Sequence, residues 1–254
     1  MEMIKVKNAA LSKYEELLLR RDNLRKQAEN YNLAYIREFG DLIEEEFRIK
    51  IECIRKKKEI AYCQMQINQG KKIKHNELIA YIEKEMQSYQ KELETLMEDV
   101  RSARSATAIS PADVKKIKDA YHRIAKLIHP DMHPELSDDA WAQELWHRAV
   151  VAYTYNNLKD IEEIEALVHA FLEERGGAGS EIVIPDIEEK IEQAEAEIEK
   201  IVTTNPYLYR LILENAAEID EKKKEYREEI EAFKIYSKQL DGVLTGFTIE
   251  EMLS

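Results

Sequence analysis

The fold is decided by residues 119–153, which read DAYHRIAKLIHPDMHPELSDDAWAQELWHRAVVAY. Two amphipathic patterns of helical period meet there at the tripeptide His129-Pro130-Asp131. A proline disfavours helical torsions in the residue before it and has no amide proton to donate, so the first helix must end here. A second proline, Pro134, stiffens the connection further. The sequence therefore predicts two helices joined by a stiff loop that turns an imidazole and a carboxylate outward.

The boundaries of these helices can be predicted from local signals. Residues 110–113 read SPAD, with a capping serine, a proline at the first helical position and an acid at the third, and this helix should run to about Ile128. Ser137, followed by two aspartates, is expected to cap the next helix, which we place as far as about Asn156. Asp160 is expected to cap a third helix.

The residues around the tripeptide resemble a known family, the J-domain of DnaJ-type co-chaperones. The matching positions are Tyr121, Arg123, Ala125, His129, Pro130, Asp131, Trp146, Ala149, Ala152 and Tyr153. The resemblance covers about residues 110–156. It implies an antiparallel hairpin of the family's second and third helices, with the tripeptide at its tip. It also implies that the tip and the basic face of the first of these helices dock on a DnaK-type chaperone and trigger its ATP hydrolysis.

A docking surface on this chain follows from the resemblance. It consists of the tripeptide and four basic residues: His129, Pro130, Asp131, Lys115, Lys118, Arg123 and Lys126. Lys115, Lys118 and His122 are three and four apart, so they form one ridge of the helix. The alternative is that this ridge is simply a solvated face. We expect Asp131 to accept hydrogen bonds, from its own loop or from a cation on the partner.

The chain also departs from the family pattern. The tyrosine-leucine-glycine signature of the family's first helix is missing, and we expect the end of the preceding helix, near residues 96–103, to fill its place. Neither a glycine- and phenylalanine-rich segment nor a cysteine-rich zinc module follows, so client binding of the DnaJ kind is unsupported. Trp146 is expected to pack against Tyr121 and Ile124. Trp141 is either a second core residue or an exposed anchor.

Composition and periodicity predict long helices on both sides of this segment. Charged residues make up 35% of the 254 residues, with only 7 Gly and 5 Pro to build turns. Apolar residues recur at steps of three and four over about residues 8–68, again over 78–100, and again after residue 187. The predicted fold class is all-α, with elongated coiled-coil helical arms and a small J-domain-like hairpin in the middle.

Three consecutive segments are predicted from these patterns. Residues 1–107 form an N-terminal antiparallel coiled-coil hairpin, residues 108–175 the J-domain-like segment, and residues 181–254 the C-terminal coiled-coil helices. Glycines between residues 176 and 179 mark the linker before the last segment. Periodicity does not decide whether the helices pair within one chain or between two, so a homodimer through the coiled coils is an alternative to a single-chain bundle.

Other features of the sequence argue against several functions. A net charge of -13 argues against nucleic-acid binding. The absence of a membrane-spanning run or a signal peptide predicts a cytoplasmic protein without membrane contact, and Cys53 and Cys63 are interpreted as buried thiols in a reducing compartment. We expect no metal at His129 and His133, because the proline between them prevents helical spacing. We expect no cofactor and no enzymatic activity, because no nucleophile motif is visible.

The function predicted from the sequence is that of a non-enzymatic co-chaperone or adaptor. Its loop docks on a DnaK-type chaperone, and its coiled-coil arms bind a protein client of unknown identity or supply dimerisation. The alternative is a structural coiled-coil scaffold whose J-like hairpin no longer stimulates a chaperone.

Overall fold

The computed structural model describes the backbone of residues 2–105, 109–175 and 184–252, and the side chains of residues 9–103, 109–175 and 184–247. All regular secondary structure in these ranges is helical, which confirms the all-α class. The helices are α1 (Glu2–Asn68), α2 (His75–Ser105), α3 (Pro111–Ile128), α4 (Ala140–Thr154), α5 (Leu158–Glu174), α6 (Ile187–Thr203), α7 (Tyr209–Leu213) and α8 (Ala216–Met252), and a 3-10 turn covers Pro134–Leu136. The linker predicted near residues 176–179 lies outside the described residues.

The chain forms two compact units, each built from separate stretches of sequence. Unit 1 comprises Met1–Asn32 and Thr107–Tyr209, and unit 2 comprises Leu33–Ala106 and Arg210–Ser254. Because α1 runs from Glu2 to Asn68, it contributes residues to both. These two units are defined by which residues pack together and not by their order in the chain. The division into residues 1–107, 108–175 and 181–254 follows chain order and stays a prediction, as does the supercoiling of the long helices.

The main core of unit 1 lies between α3, α4 and α5. Its fully buried members include Ile117, Tyr121, Ile124, Leu145, Ile161, Ile164 and Val168. The helix that completes the α3–α4 hairpin is therefore α5, which follows it, because α5 carries apolar residues at steps of three and four along one face. The expectation that residues 96–103 fill this place is wrong, since Val100 and Ala103 belong to unit 2.

A second apolar cluster in unit 1 joins α1, α6 and the loop after α3. From α1 it contains Tyr14, Leu17 and Leu18, and from α6 it contains Ile191, Ala194 and Ile198, with Ile184 just before that helix. Met132, the residue after the tripeptide, is 3% exposed and packs in the same cluster. The loop is thus anchored by an apolar side chain against two helices outside the hairpin.

The helix caps agree with the sequence signals at one end and differ at two. Ser110 caps α3 as predicted, since its hydroxyl accepts a hydrogen bond from the Asp113 amide at 3.1 Å. The prediction for α4 is wrong: Asp139 is the cap and accepts from two amides at 2.9 Å, because the 3-10 turn occupies the chain as far as Leu136. For α5 the cap is Asn157 and not Asp160, whose own amide donates to the Asn157 side chain.

Unit 2 contains the rest of α1 with α2 and α8. Gly40 of α1 lies so near Val100 of α2 that an added Cβ would meet the valine methyl carbon at 3.0 Å. Between α1 and α8, the buried ammonium of Lys56 donates to Ser237 Oγ and to Asp241 Oδ2, both at 2.7 Å. One tight apolar contact and one polar network therefore fix the register of these helices.

Candidate functional site

The loop between α3 and α4 is a tight turn closed by its own backbone. His129 is extended (φ -61°, ψ 127°), as expected of a residue before proline. Its carbonyl oxygen then accepts hydrogen bonds from the amides of Met132 and His133, at 2.9 and 2.8 Å. The loop predicted from the sequence is present, and its conformation is determined locally.

The His129 side chain is buried, with only 2% of the residue exposed. Its ring lies 4.5 Å from that of Trp146 on α4, and its Nε2 lies 3.7 Å from Asp22 Oδ2 on α1. The prediction that the imidazole faces outward is therefore wrong. The ring turns inward because an aromatic side chain and a buried carboxylate both meet it there.

The hydrogen bonding of His129 indicates its tautomer. The Asp131 amide donates to His129 Nδ1 at 3.0 Å, so Nδ1 acts as the acceptor. The ring proton of the neutral imidazole is then on Nε2, directed at Asp22. Arg21 Nη2 lies 3.4 Å from the same Nε2, and because both nitrogens then carry protons, we interpret this approach as a packing contact.

Asp131 remains partly accessible, since 42% of its side chain is exposed. Its Oδ2 accepts a hydrogen bond from Arg21 Nη1 at 3.2 Å. Arg21 itself is buried and also contacts Asp22 at 3.3 Å and Glu197 at 3.4 Å. Burial works to lower the pKa of Arg21, but these three carboxylates, Asp22 foremost, raise it above its ordinary value.

Asp22 is the buried acid at the centre of this arrangement. It accepts a hydrogen bond from the Tyr121 hydroxyl at 2.8 Å and an ion-pair contact from Arg21. Burial works to raise the pKa of Asp22, but the nearby His129, Arg21 and Tyr121 hold it below its usual range. The Asp22 carboxylate of α1 is therefore ionised although it is buried against Tyr121 and His129.

The four basic residues of the predicted docking surface have different surroundings. Lys126 pairs with Glu15 of α1 at 2.8 Å, and Arg123 pairs with Glu165 of α5 at 2.5 Å. Lys115 and Lys118 are exposed, and neither forms an ion pair with the side chains that the structure describes. The structure thus pairs Lys126 with α1 and Arg123 with α5, and leaves Lys115 and Lys118 exposed to solvent.

A cleft of about 460 Å³ lies beside the tripeptide within unit 1. It is lined by the loop, by the rings of Trp146 and Tyr153, and by Arg21, Arg25 and Lys26 of α1. Trp146 also lies 5.5 Å from Tyr121, which confirms the predicted packing of this pair, whereas Trp141 is 47% exposed. The cleft leaves one side of Asp131 open to a ligand group.

Lys26 is the least well-partnered charge near the site. It is 8% exposed, its Nζ has no hydrogen-bond partner among the described residues, and it lies 3.9 Å from the centre of the Tyr153 ring. Burial, with a smaller contribution from Lys118, lowers the pKa of Lys26 to about 8.

The contribution of α1 to this site was not predicted from the sequence. A signal was present: Arg21 lies at a stripe position, three or four residues from Leu17, Leu18 and Leu24. A charged residue at an apolar position of a helix indicates a specific buried partner. That partner could not be named, because Asp131 is 110 residues away in the sequence.

Comparisons with protein-family models, with curated proteins and with solved structures found no match for this chain. The J-domain resemblance therefore stays a prediction from the residues quoted above. In the described part of the chain, no helix combines the length and apolar character needed to cross a bilayer.

Proposed function

We propose that this protein is a cytoplasmic, non-enzymatic co-chaperone or adaptor of the J-domain type. In this proposal His129, Pro130 and Asp131 dock on a DnaK-type chaperone and stimulate its ATP hydrolysis. The long helices of unit 2 then bind a protein client or supply dimerisation.

The observation that carries the proposal is the setting of the tripeptide. It lies in a short connection between two packed helices, in a turn closed by two backbone hydrogen bonds, with the Asp131 carboxylate partly exposed. Lys115 and Lys118 are exposed on the helix that leads into the loop. The hairpin thus carries exposed cations on α3 and a partly exposed carboxylate in the loop, and charges of both signs favour docking of a charged protein surface.

A structural scaffold is the second candidate, and a specific observation favours it. The buried His129 ring and the pairing of Asp131 with Arg21 give the tripeptide a role inside this chain. In a scaffold, these contacts hold α1 on the hairpin and no chaperone is involved.

Single-turnover ATP hydrolysis by the DnaK-type chaperone of the same organism discriminates between these functions. We expect the parent protein to accelerate hydrolysis and Asp131→Asn to abolish the acceleration, because the docking carboxylate is lost. Asp138→Asn makes the same chemical change at an exposed residue of the same connection and should behave like the parent. Hydrolysis that the parent and an Arg21→Met variant both leave unchanged would support the scaffold.

A further inference from the structure

We propose that α1 masks the tripeptide loop in cis, so that α1 and a partner chaperone compete for the same face of the loop. This inference rests on the function proposed above, and it adds a mode of regulation to that function. The masking segment comprises residues 14–25 of α1.

The first contact between α1 and the tripeptide is made at Asp131. Its carboxylate is the exposed charged group of the tripeptide, and Arg21 already donates to it at 3.2 Å. Arg21 is held in place by Asp22 and Glu197, so its guanidinium is fixed in position. A cation from another protein can bind Asp131 in the same direction only when Arg21 is withdrawn.

The two flanks of the tripeptide also meet α1. On one side, Lys126 of the basic helix pairs with Glu15 of α1 at 2.8 Å. On the other side, Met132 is buried in the apolar cluster that also contains Leu17 and Leu18 of α1. The same helix therefore covers the charged centre of the docking surface, one of its basic residues and its apolar neighbour.

Part of the docking surface remains open to solvent. Lys115 and Lys118 are exposed, and the cleft beside the loop leaves Asp131 partly accessible. A partner can therefore bind the open part of the surface first and then displace α1 from the tripeptide. Binding of this kind is weakened by the fraction of molecules in which the loop is covered.

The test uses the full-length chain with Arg21→Met, which removes the cation on Asp131. The matched control is Arg20→Met, the same substitution at the adjacent arginine of α1, whose side chain is exposed to solvent. Two quantities are measured for each: carbethoxylation of His129 relative to the exposed His147, and affinity for the DnaK-type chaperone. We expect Arg21→Met to increase both by about five- to tenfold, in proportion to the loss of the covered state.

A second variant protects the test against misfolding, since Arg21→Met leaves Asp22 without its ion-pair partner. Glu15→Lys places a like charge opposite Lys126 at a partly exposed position and keeps Arg21. We expect Glu15→Lys to increase His129 carbethoxylation and chaperone affinity as well, but by less than Arg21→Met does. Glu16→Lys, an exposed neighbour on the same helix, is its control and should match the parent.

The outcomes separate this inference from the function it rests on. Chaperone stimulation by the parent, with His129 reactivity and chaperone affinity unchanged in both variants, overturns the mask and leaves the co-chaperone function standing. A more reactive His129 with no chaperone response from any variant overturns the proposed function and reduces α1 to a structural clamp. A coordinated rise that the two controls do not reproduce supports the mask.

Discussion

His129 and Asp131 are separated by one residue, yet the fold places their side chains in different environments. The imidazole is buried between Trp146 and Asp22, whereas the carboxylate is 42% exposed and bound by Arg21. The buried imidazole helps to shape the loop, because its Nδ1 accepts a hydrogen bond from the Asp131 amide. In this conformation Pro130 and Asp131 are the partly exposed residues of the tripeptide.

At the residue scale, Lys26 gives a prediction about stability. Burying its ammonium costs up to about 3 kcal/mol, estimated from the lowering of its pKa from 10.5 to about 8, and the Tyr153 ring offsets about 1 kcal/mol of this. We expect Lys26→Met to raise the free energy of unfolding at pH 7 by about 1–2 kcal/mol. Urea denaturation monitored by circular dichroism measures the change.

The pH dependence of this effect has a definite sign. Because the pKa of Lys26 in the folded protein, about 8, lies below the ordinary lysine value of 10.5, the unfolded chain binds more protons between these pH values. The parent's stability therefore gains from Lys26 as the pH rises through this window, and the advantage of Lys26→Met should shrink. Lys57→Met, at an exposed lysine of the same helix, should show no such trend. An advantage that grows with pH would contradict the assignment.

At the scale of elements, the sequence predicts the extent of α3 correctly but assigns the caps of α4 and α5 to the wrong residues. Both ends of α3 lie where the sequence predicts them. Ser110 caps the start at Pro111, and the helix ends at Ile128, just before the His129-Pro130 pair. The caps of α4 and α5 are displaced from the predicted residues, because several Asp, Asn and Ser side chains near each start can all accept an amide hydrogen bond. The backbone geometry of the preceding turn selects among them.

The approach of α1 to α2 gives a prediction at this scale. A Cβ on Gly40 would lie 3.0 and 3.1 Å from the two methyl carbons of Val100. Within a helix, alanine stabilises the folded protein by about 0.5–1 kcal/mol relative to glycine. Overpacking a tight contact, however, destabilises it by about 1–3 kcal/mol. We expect Gly40→Ala to lower the free energy of unfolding by about 1 kcal/mol.

A double-mutant cycle tests the reason for that loss. In a Val100→Ala background the clash is absent, and Gly40→Ala should then raise the free energy of unfolding. Gly242→Ala on α8 serves as the control, since a Cβ there meets no atom within 4 Å, and it should be stabilising by itself. Equal effects of Gly40→Ala in both backgrounds would mean that Val100 does not limit this contact.

At the scale of the whole molecule, the two compact units interleave along the chain. Unit 1 takes Met1–Asn32 and Thr107–Tyr209, and unit 2 takes Leu33–Ala106 and Arg210–Ser254. The exposed turn between α1 and α2, with Gly70 at φ 65°, falls inside the sequence of unit 2. Each unit thus contains residues from both sides of that turn.

This organisation predicts how the protein responds to a cut. A site for a specific protease inserted after Gly70 should be cleavable, because residues 69–72 are exposed. The two fragments should still elute together from a size-exclusion column, since the packing of each unit holds segments of both, and they should separate in concentrated urea. The uncut insertion variant is the control. Separate elution without denaturant would contradict the division into these units.

The sequence by itself determined the helical class, the loop at His129-Pro130-Asp131, the ends of α3 and the packing of Trp146 on Tyr121. These follow from rules that act over a few residues, namely proline geometry, capping and apolar periodicity, or from matched spacing on both sides of one short loop. Only the tertiary structure decided that α5 completes the hairpin, that His129 turns inward and that Arg21 lies on Asp131. Those outcomes depend on which of several amphipathic helices covers a given face. Arg21, which contacts both His129 and Asp131, is more than one hundred residues from them in the sequence. Periodicity identifies the face that each helix buries, but the free energy of the whole packed arrangement decides which helix covers it.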